Sequence, residues 1–445
     1  MKNSQVKAAI HLKQQISDGR KKSISGVPAN SSMAGQPAKQ FSLQRTFTAL
    51  KYPNYRLWFW GQMSSLVGTW MQTTAQGFLI FELTKSPVML GIVGFAGGIP
   101  FWVFNFLGGV ITDRMPRRNI LLITQTAMML LAFILGILIF TGAVQPWHII
   151  LLAFGTGIAN AFESPARMAL MSELVDERED YANAIALNST FVNLAVVVGP
   201  AVAGLVYAWK GAGWCFTING ISFIAVIVAL LLMKLKPFIP HPSSGSMLVQ
   251  LKEGISYVVK HPLIRVLMLM VVSTSVVGHA YITLLPAWVV TILSGDSALN
   301  GLMQSARGLG ALVAALMIAS LGRIKFKGKL LTIGSFVFPL MVLVWAAVRS
   351  ISVSLFFIAL SGWGFMIMLN MAQTLIQVNV PDHLRGRVMG IYTFAFFGMM
   401  PVGALLGGAL AQWTNEPLAV MIGGTVSLIF SIFVFFYFPR VRAME

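Results

Sequence analysis

Charge is scarce within the apolar stretches of this sequence, so each ionisable side chain found there is a candidate for chemistry. Glu163 lies about 16 residues into the apolar stretch 147–168, roughly 24 Å along a helix axis, with Arg167 one turn further on. A carboxylate at that depth could take up a proton and couple it to the release of something else. The plainer alternative is an i,i+4 ion pair with Arg167. Arg307 sits six residues into the stretch 301–321, with no acid near it in sequence. That leaves an anionic substrate group, a partner from another stretch, or a side chain that snorkels outward. His279, in the stretch 264–292, could relay protons, although a histidine that simply makes a hydrogen bond fits the same position. What is missing narrows the chemistry further. The single cysteine, Cys215, excludes an intrachain disulfide and a cysteine-based metal site. No G-x-x-x-x-G-K-[ST] loop occurs, nor any His or acidic metal-ligand cluster, nor a nucleophile with an organised base. ATP-driven work and enzymatic catalysis are both disfavoured, and no cofactor or metal is expected.

The elements that carry these groups follow from composition. Of 445 residues, 56% are hydrophobic and only 10% charged, with a mean hydropathy of +0.77. That is more apolar surface than a soluble core of this size needs. Residues 1–52, rich in Lys, Gln, Ser, Gly and Pro, hold no apolar run long enough for a signal peptide and read as a disordered, basic cytoplasmic tail. Apolar stretches follow, each near the roughly 20 residues that cross about 30 Å of hydrocarbon. They fall near 57–80, 87–111, 119–141, 147–168, 184–207 and 213–233, then 264–292, 301–321, 330–348, 351–376, 387–411 and 417–438. The expectation is an all-α membrane protein with twelve transmembrane helices. Two six-helix bundles, 53–233 and 263–440, flank a cytoplasmic linker, 234–262. With the N-terminus inside, only Lys85, Lys210 and Arg349 fall in outer loops, which puts both termini on the cytoplasmic side. The net charge of +18 then lies beside an anionic leaflet and gives no reason to expect nucleic acid.

Several of these stretches carry polar residues at helical spacing. Span 1 has Gln62, Ser65, Thr69, Gln72 and Gln76, at steps of 3, 4, 3 and 4, which form one stripe. Span 4 has Thr156, Asn160, Glu163 and Arg167; span 7 has Ser275, His279 and Thr283; span 10 has Asn370, Gln373 or Thr374, and Gln377. Such groups are costly in lipid and face a cavity or another helix. The two sets of six also look like copies. Pro53–Arg56 entering span 1 matches Pro262–Arg265 entering span 7, and Gly91 opening span 2 matches Gly301 opening span 8.

Between spans 2 and 3 lies a short charged turn, Gly109-Val-Ile-Thr-Asp113-Arg114-Met-Pro-Arg117-Arg118. It resembles the G-x-x-x-D-R-x-G-R-R loop signature of the major facilitator superfamily, with Pro116 in place of the inner glycine. Gly199-Pro200-Ala-Val-Ala-Gly204 in span 5 is similar to the antiporter motif of that superfamily. Ser164-Pro165-Ala166-Arg167 and Arg385-Gly386-Arg387-Val388-Met389-Gly390 resemble the branch that exports siderophores and macrolides. The resemblance implies that spans 1, 4, 7 and 10 line a central cavity between pseudo-symmetric bundles. It also implies that Asp113 docks on the N-terminus of span 11 in an outward-open state, where a helix dipole favours an acid, while Arg114, Arg117 and Arg118 pair with acids or lipid headgroups. The loop after span 8, 322–329, has the charge without the acid and is expected to have lost any latch role. Gly199, Pro200 and Gly204 mark a bend associated with export, or serve packing alone. Span 4 lacks the mid-membrane arginine of the drug:proton antiporters. The expected protein is a monomeric secondary exporter in the bacterial inner membrane, with the lipid bilayer, a small organic substrate and a coupling proton as its partners. A lysophospholipid flippase and a transport-inactive receptor are the alternatives.

Overall fold

The computed structural model describes residues 47–175, 177–235, 237–238, 247–321 and 325–444. The expected tail, apart from residues 47–52, and residues 322–324 of the loop after span 8 lie outside them. Twelve long helices account for nearly all of the described chain: α1 (Pro53–Thr84), α2 (Pro87–Arg114), α3 (Arg117–Phe140), α4 (Pro146–Met171), α5 (Arg178–Lys210), α6 (Ala212–Leu232), α7 (Pro262–Thr291), α8 (Ser297–Ser320), α9 (Lys327–Ala347), α10 (Ile351–Asn379), α11 (Asp382–Trp413) and α12 (Glu416–Tyr437). Their starts are written locally. Proline opens α1, α2, α4 and α7, where its missing N–H costs nothing. Asp296 and Asn415 cap α8 and α12 by accepting from Leu299 and Leu418 backbone N–H groups at 3.0 and 2.8 Å. Tight reversals use positive φ at Lys85, Gly142, Gly211 and Ser294, the two glycines at little steric cost.

Eleven of these helices are long and apolar enough to cross a membrane; α1 is the exception. Its shortfall reflects the polar stripe from Gln62 to Gln76. Two spans are irregular. α7 is interrupted at Leu284, and α11 carries a π-helical turn, Phe394–Gly398, just before Pro401. The segment 234–262, expected only as a linker, contains a further helix, Met247–Lys260. Sequence length hid it, since 14 residues are too few to span. Its Gly254 packs on Ile391 and Arg387 of α11, and its Glu253 pairs with Arg387.

Packing repeats in the two halves. α1 lies on α5 and α6, α2 on α4, and α3 on α4 and α6; correspondingly α7 lies on α11 and α12, α8 on α10, and α9 on α10 and α12. The halves meet through α2 against α11 and α5 against α8. Both seams are built the same way. A Cβ on Gly408 would stand 2.7 Å from Pro87 O and 2.9 Å from Gly91 Cα, and one on Gly301 would stand 2.3 Å from Pro200 O and 2.9 Å from Gly204 Cα. Two glycine pairs, four residues from a proline in each case, let the backbones touch.

Candidate functional site

The seams between the halves are one-sided. Starting at the face opposite the Lys/Arg-rich loops, Ser86 Oγ donates to Gln412 Oε1 at 2.8 Å. Gly98 meets Pro401, and Trp102 Nε1 donates to Gly398 O at 2.7 Å. The α2–α11 contact then fades at the rings of Phe106 and Phe394, 6.5 Å apart. On the other seam Ser305 Oγ donates to Val197 O at 2.6 Å, and Gly308 packs on Val196. Nearer the basic face, the ion pairs among the described residues stay within one half: Arg117–Glu173 and Lys51–Asp180 in the first, Arg387–Glu253 and Arg385–Asp382 in the second. The buried apolar clusters at that end are likewise separate, one wholly in each half. Among the described residues, then, the contacts between the halves lie in the outer and middle parts of the seams, and those at the basic face run within each half.

The charged turn reflects this. Arg117 pairs with Glu173 at the end of α4 and lies over the Phe238 ring, and Arg118 donates to Leu231 O of α6 at 2.8 Å. Both therefore tie the loop to its own half. Asp113 and Arg114 are exposed and make no ion pair among the described residues. A Cβ on Gly109 would meet nothing within 4 Å, and the same holds for Gly386 and Gly390 in the inner part of α11. The glycine that packs tightly here is Gly108, where a Cβ would stand 2.7 Å from Ala161 O. Beside the loop, Lys51 salt-bridges Asp180 at 2.6 Å. That contact raises the Lys51 pKa and holds the Asp180 carboxyl below its usual range.

The polar stripes divide. On α1, Gln72 Oε1 accepts from Asn219 Nδ2 of α6 at 2.6 Å in a buried pair, so Gln72 belongs to a helix–helix seam and not to a cavity wall. Gly68, one turn earlier, presses on Asn219 and Ser222. Gln62 and Ser65 are buried, with Gln62 Oε1 unpartnered, and Thr69 donates back to Ser65 O. Gln76 is half-buried. On α4, Asn160 is exposed and Glu163 is 5% exposed. The Glu163 carboxylate stands 3.5 Å from Arg167 Nε, the i,i+4 pair expected from spacing. On α7, Thr283 Oγ1 comes within 4.0 Å of a Cβ position on Gly94 of α2, so the face bearing Ser275, His279 and Thr283 looks toward the other half. On α10, Asn370 donates to Met366 O, and Gln373 is half-buried. Gly199 and Gly204 pack against Trp70 of α1 and Ser297 of α8 within an α5 that runs unbroken through Pro200. The geometry there is one of packing.

Arg307 is placed differently from its sequence expectation. α8 starts at Ser297, so Arg307 is its eleventh residue, about 15 Å from the nearer end. Snorkelling is out of reach. It is 8% exposed, its Nε is buried without a partner, and its charge lies within electrostatic range of His279 and Tyr281. An arginine at mid-membrane costs about 3 kcal/mol on insertion scales, a cost the sequence retains. Asn300 and Gln304 continue its stripe toward the outer side and are also buried. Asn300 falls just before the predicted span, 301–321, which hid the stripe and left Gln304 as an isolated amide; the steps 300, 304, 307 were the available signal.

Comparison with known proteins agrees with this architecture. The profile of the transmembrane secretion effector family matches residues 44–445. The chain is 27% identical over 378 residues to the staphyloferrin A transporter of Staphylococcus aureus, covering 84% of this chain and 93% of that one. It is 26% identical over 382 residues to the enterobactin exporter EntS of Salmonella choleraesuis (84% and 89% covered). It is 22% identical over 397 residues to macrolide efflux protein A of Streptococcus pyogenes (86% and 96%). Among solved structures, a bacterial homolog of the human lysosomal transporter Spinster, inward-facing, superposes with a TM-score of 0.68 at 13% identity, covering 88% and 98% of the two chains, a likeness of fold. Twelve helices in two equivalent halves, joined through α2–α11 and α5–α8 and matched along nearly their whole length by one profile, make this multi-pass inner-membrane chain a member of the transmembrane secretion effector family of major facilitator transporters.

Proposed function

We propose that the protein is a proton-driven exporter that carries a small or medium organic molecule, of the siderophore or drug type, out of the cytoplasm by alternating access. The observation that carries this reading is the one-sided packing of the halves. An interior sealed outward and open toward the basic face, which the positive-inside rule makes cytoplasmic, is a loading state. The halves 53–233 and 263–440 would then rock about that interior, the segment 234–262 strapping them together, and one chain suffices as the working unit. Glu163 is the proposed proton carrier, as the one buried carboxylate within a span, away from helix ends, among the described residues. Protonation would release Arg167 and change the charge of the cavity wall. Export direction is supported by the relatives, one an enterobactin exporter and one a macrolide efflux protein.

The test is accumulation of a catecholate siderophore and of erythromycin in a deletion strain, with and without a proton uncoupler. Loss of the protein is expected to raise retention of one of them, and the uncoupler to abolish the difference. Glu163→Gln should export no better with the gradient than without it. Retention that ignores the uncoupler would remove the proton claim, and selective movement of a lysophospholipid would move the protein to the lipid-handling alternative.

A further inference from the structure

We infer that the cargo presents a carboxylate or an equally compact anion, and that Arg307 is the residue that holds it, an inference resting on the reading that cargo passes between the two halves. Arg307 has no anionic protein partner among the described residues. The buried carboxylates among the described residues are Glu163, already engaged by Arg167, and Glu416, which opens α12 at the outer end. The groups within its electrostatic range, His279 and Tyr281, are not acids.

The packing of α8 aims the Arg307 side chain and fixes its stem. On α8, Gly301, Ser305 and Gly308 face α5 while Gly310 faces α10, so the stripe of Asn300, Gln304 and Arg307 looks between those helices into the interior. Arg307 Nε is sealed, whereas its two terminal nitrogens, equally unpartnered, are not among the sealed atoms; the outer edge of the guanidinium fork reaches open space. Both amide atoms of Asn300 and the hydroxyl of Ser275 are buried without partners. Gly362 of α10 lies so close beneath that a Cβ there would stand 2.2 Å from Arg307 O and 3.2 Å from its Cγ, which fixes the stem of the side chain. A planar fork on a fixed stem matches a carboxylate, which it can grip bidentately. A cationic cargo would meet an uncompensated positive charge in a medium of low dielectric constant. A neutral one would leave that charge unanswered.

The test uses the full-length protein in lipid nanodiscs and two probes of the same shape, phenylacetate and neutral phenylacetamide, at matched ionic strength. Phenylacetate is expected to raise the melting temperature and phenylacetamide to leave it unchanged. Arg307→Gln should weaken phenylacetate binding roughly 10- to 100-fold, the range of a lost charge-assisted hydrogen bond, and Arg307→Lys less. Should Arg307→Gln fail to fold, modification of Arg307 in the unaltered chain by phenylglyoxal, read by peptide mass spectrometry, decides. Phenylacetate should slow it and phenylacetamide should not. Equal effects of the two probes, undiminished binding by Arg307→Gln, or labelling indifferent to phenylacetate would each overturn the inference. Export that is proton-driven yet shows none of these anion effects would sink this inference alone, leaving the transport reading intact.

Discussion

At the scale of residues, spacing alone predicted the Glu163–Arg167 pair, because i,i+4 neighbours on a helix cannot avoid one another. It could not predict that Gln72 meets Asn219, 147 residues away; a stripe on one helix says which residues share a face and nothing about what that face meets. Asp113 shows the same limit. Its motif was legible, but the contact implied by resemblance belongs to a different arrangement of the halves, and here the side chain is solvent-exposed. Asp113→Asn should therefore leave the thermal stability of this arrangement within the roughly 0.5 kcal/mol typical of surface changes while lowering transport severalfold. Matched melting and flux measurements in proteoliposomes check this, and unchanged flux would dismiss the latch.

At the scale of elements, the long apolar runs announced themselves, and their ends were marked by proline and by Asp296 and Asn415. The seams did not stand out, since a glycine in an apolar run reads the same whether it faces lipid or another backbone. Gly91, Gly204, Gly301 and Gly408 are the ones that matter, as their missing side chains are what let the outer halves close. Gly301→Leu or Gly408→Leu should cost about 1–3 kcal/mol of overpacking in this arrangement alone, enough to move a two-state population roughly 5- to 150-fold toward outer opening. A cysteine at Thr283, the native Cys215 being buried, should then react faster with an impermeant maleimide added outside. The same leucine at Gly109, which faces no neighbour, should not change that rate in this direction.

At the scale of the whole molecule, the duplication was legible from aligned openings of spans 1 and 7, and the equivalent packing of the two halves gives it a physical form. The order in which those halves come into being is a separate matter, and α1 bears on it. It leaves the ribosome first and is the least suited of the twelve to lie alone in lipid. The partners that cover its small and polar side, Asn219, Ser222 and Ala225, all belong to α6. Until α6 is made, the Gln72 amide has nothing to bond, so α1 must wait at the insertion machinery or in the headgroup region. Maturation of the first half is thereby tied to a late event. Asn219→Leu, which removes the waiting partner while keeping α6 apolar, should lower the yield of correctly inserted protein more than it lowers transport per inserted molecule. Pulse-labelling with protease protection of the first loop, set beside flux per copy, would separate the two. A chain that sets its most polar span first has made that helix dependent on its sixth.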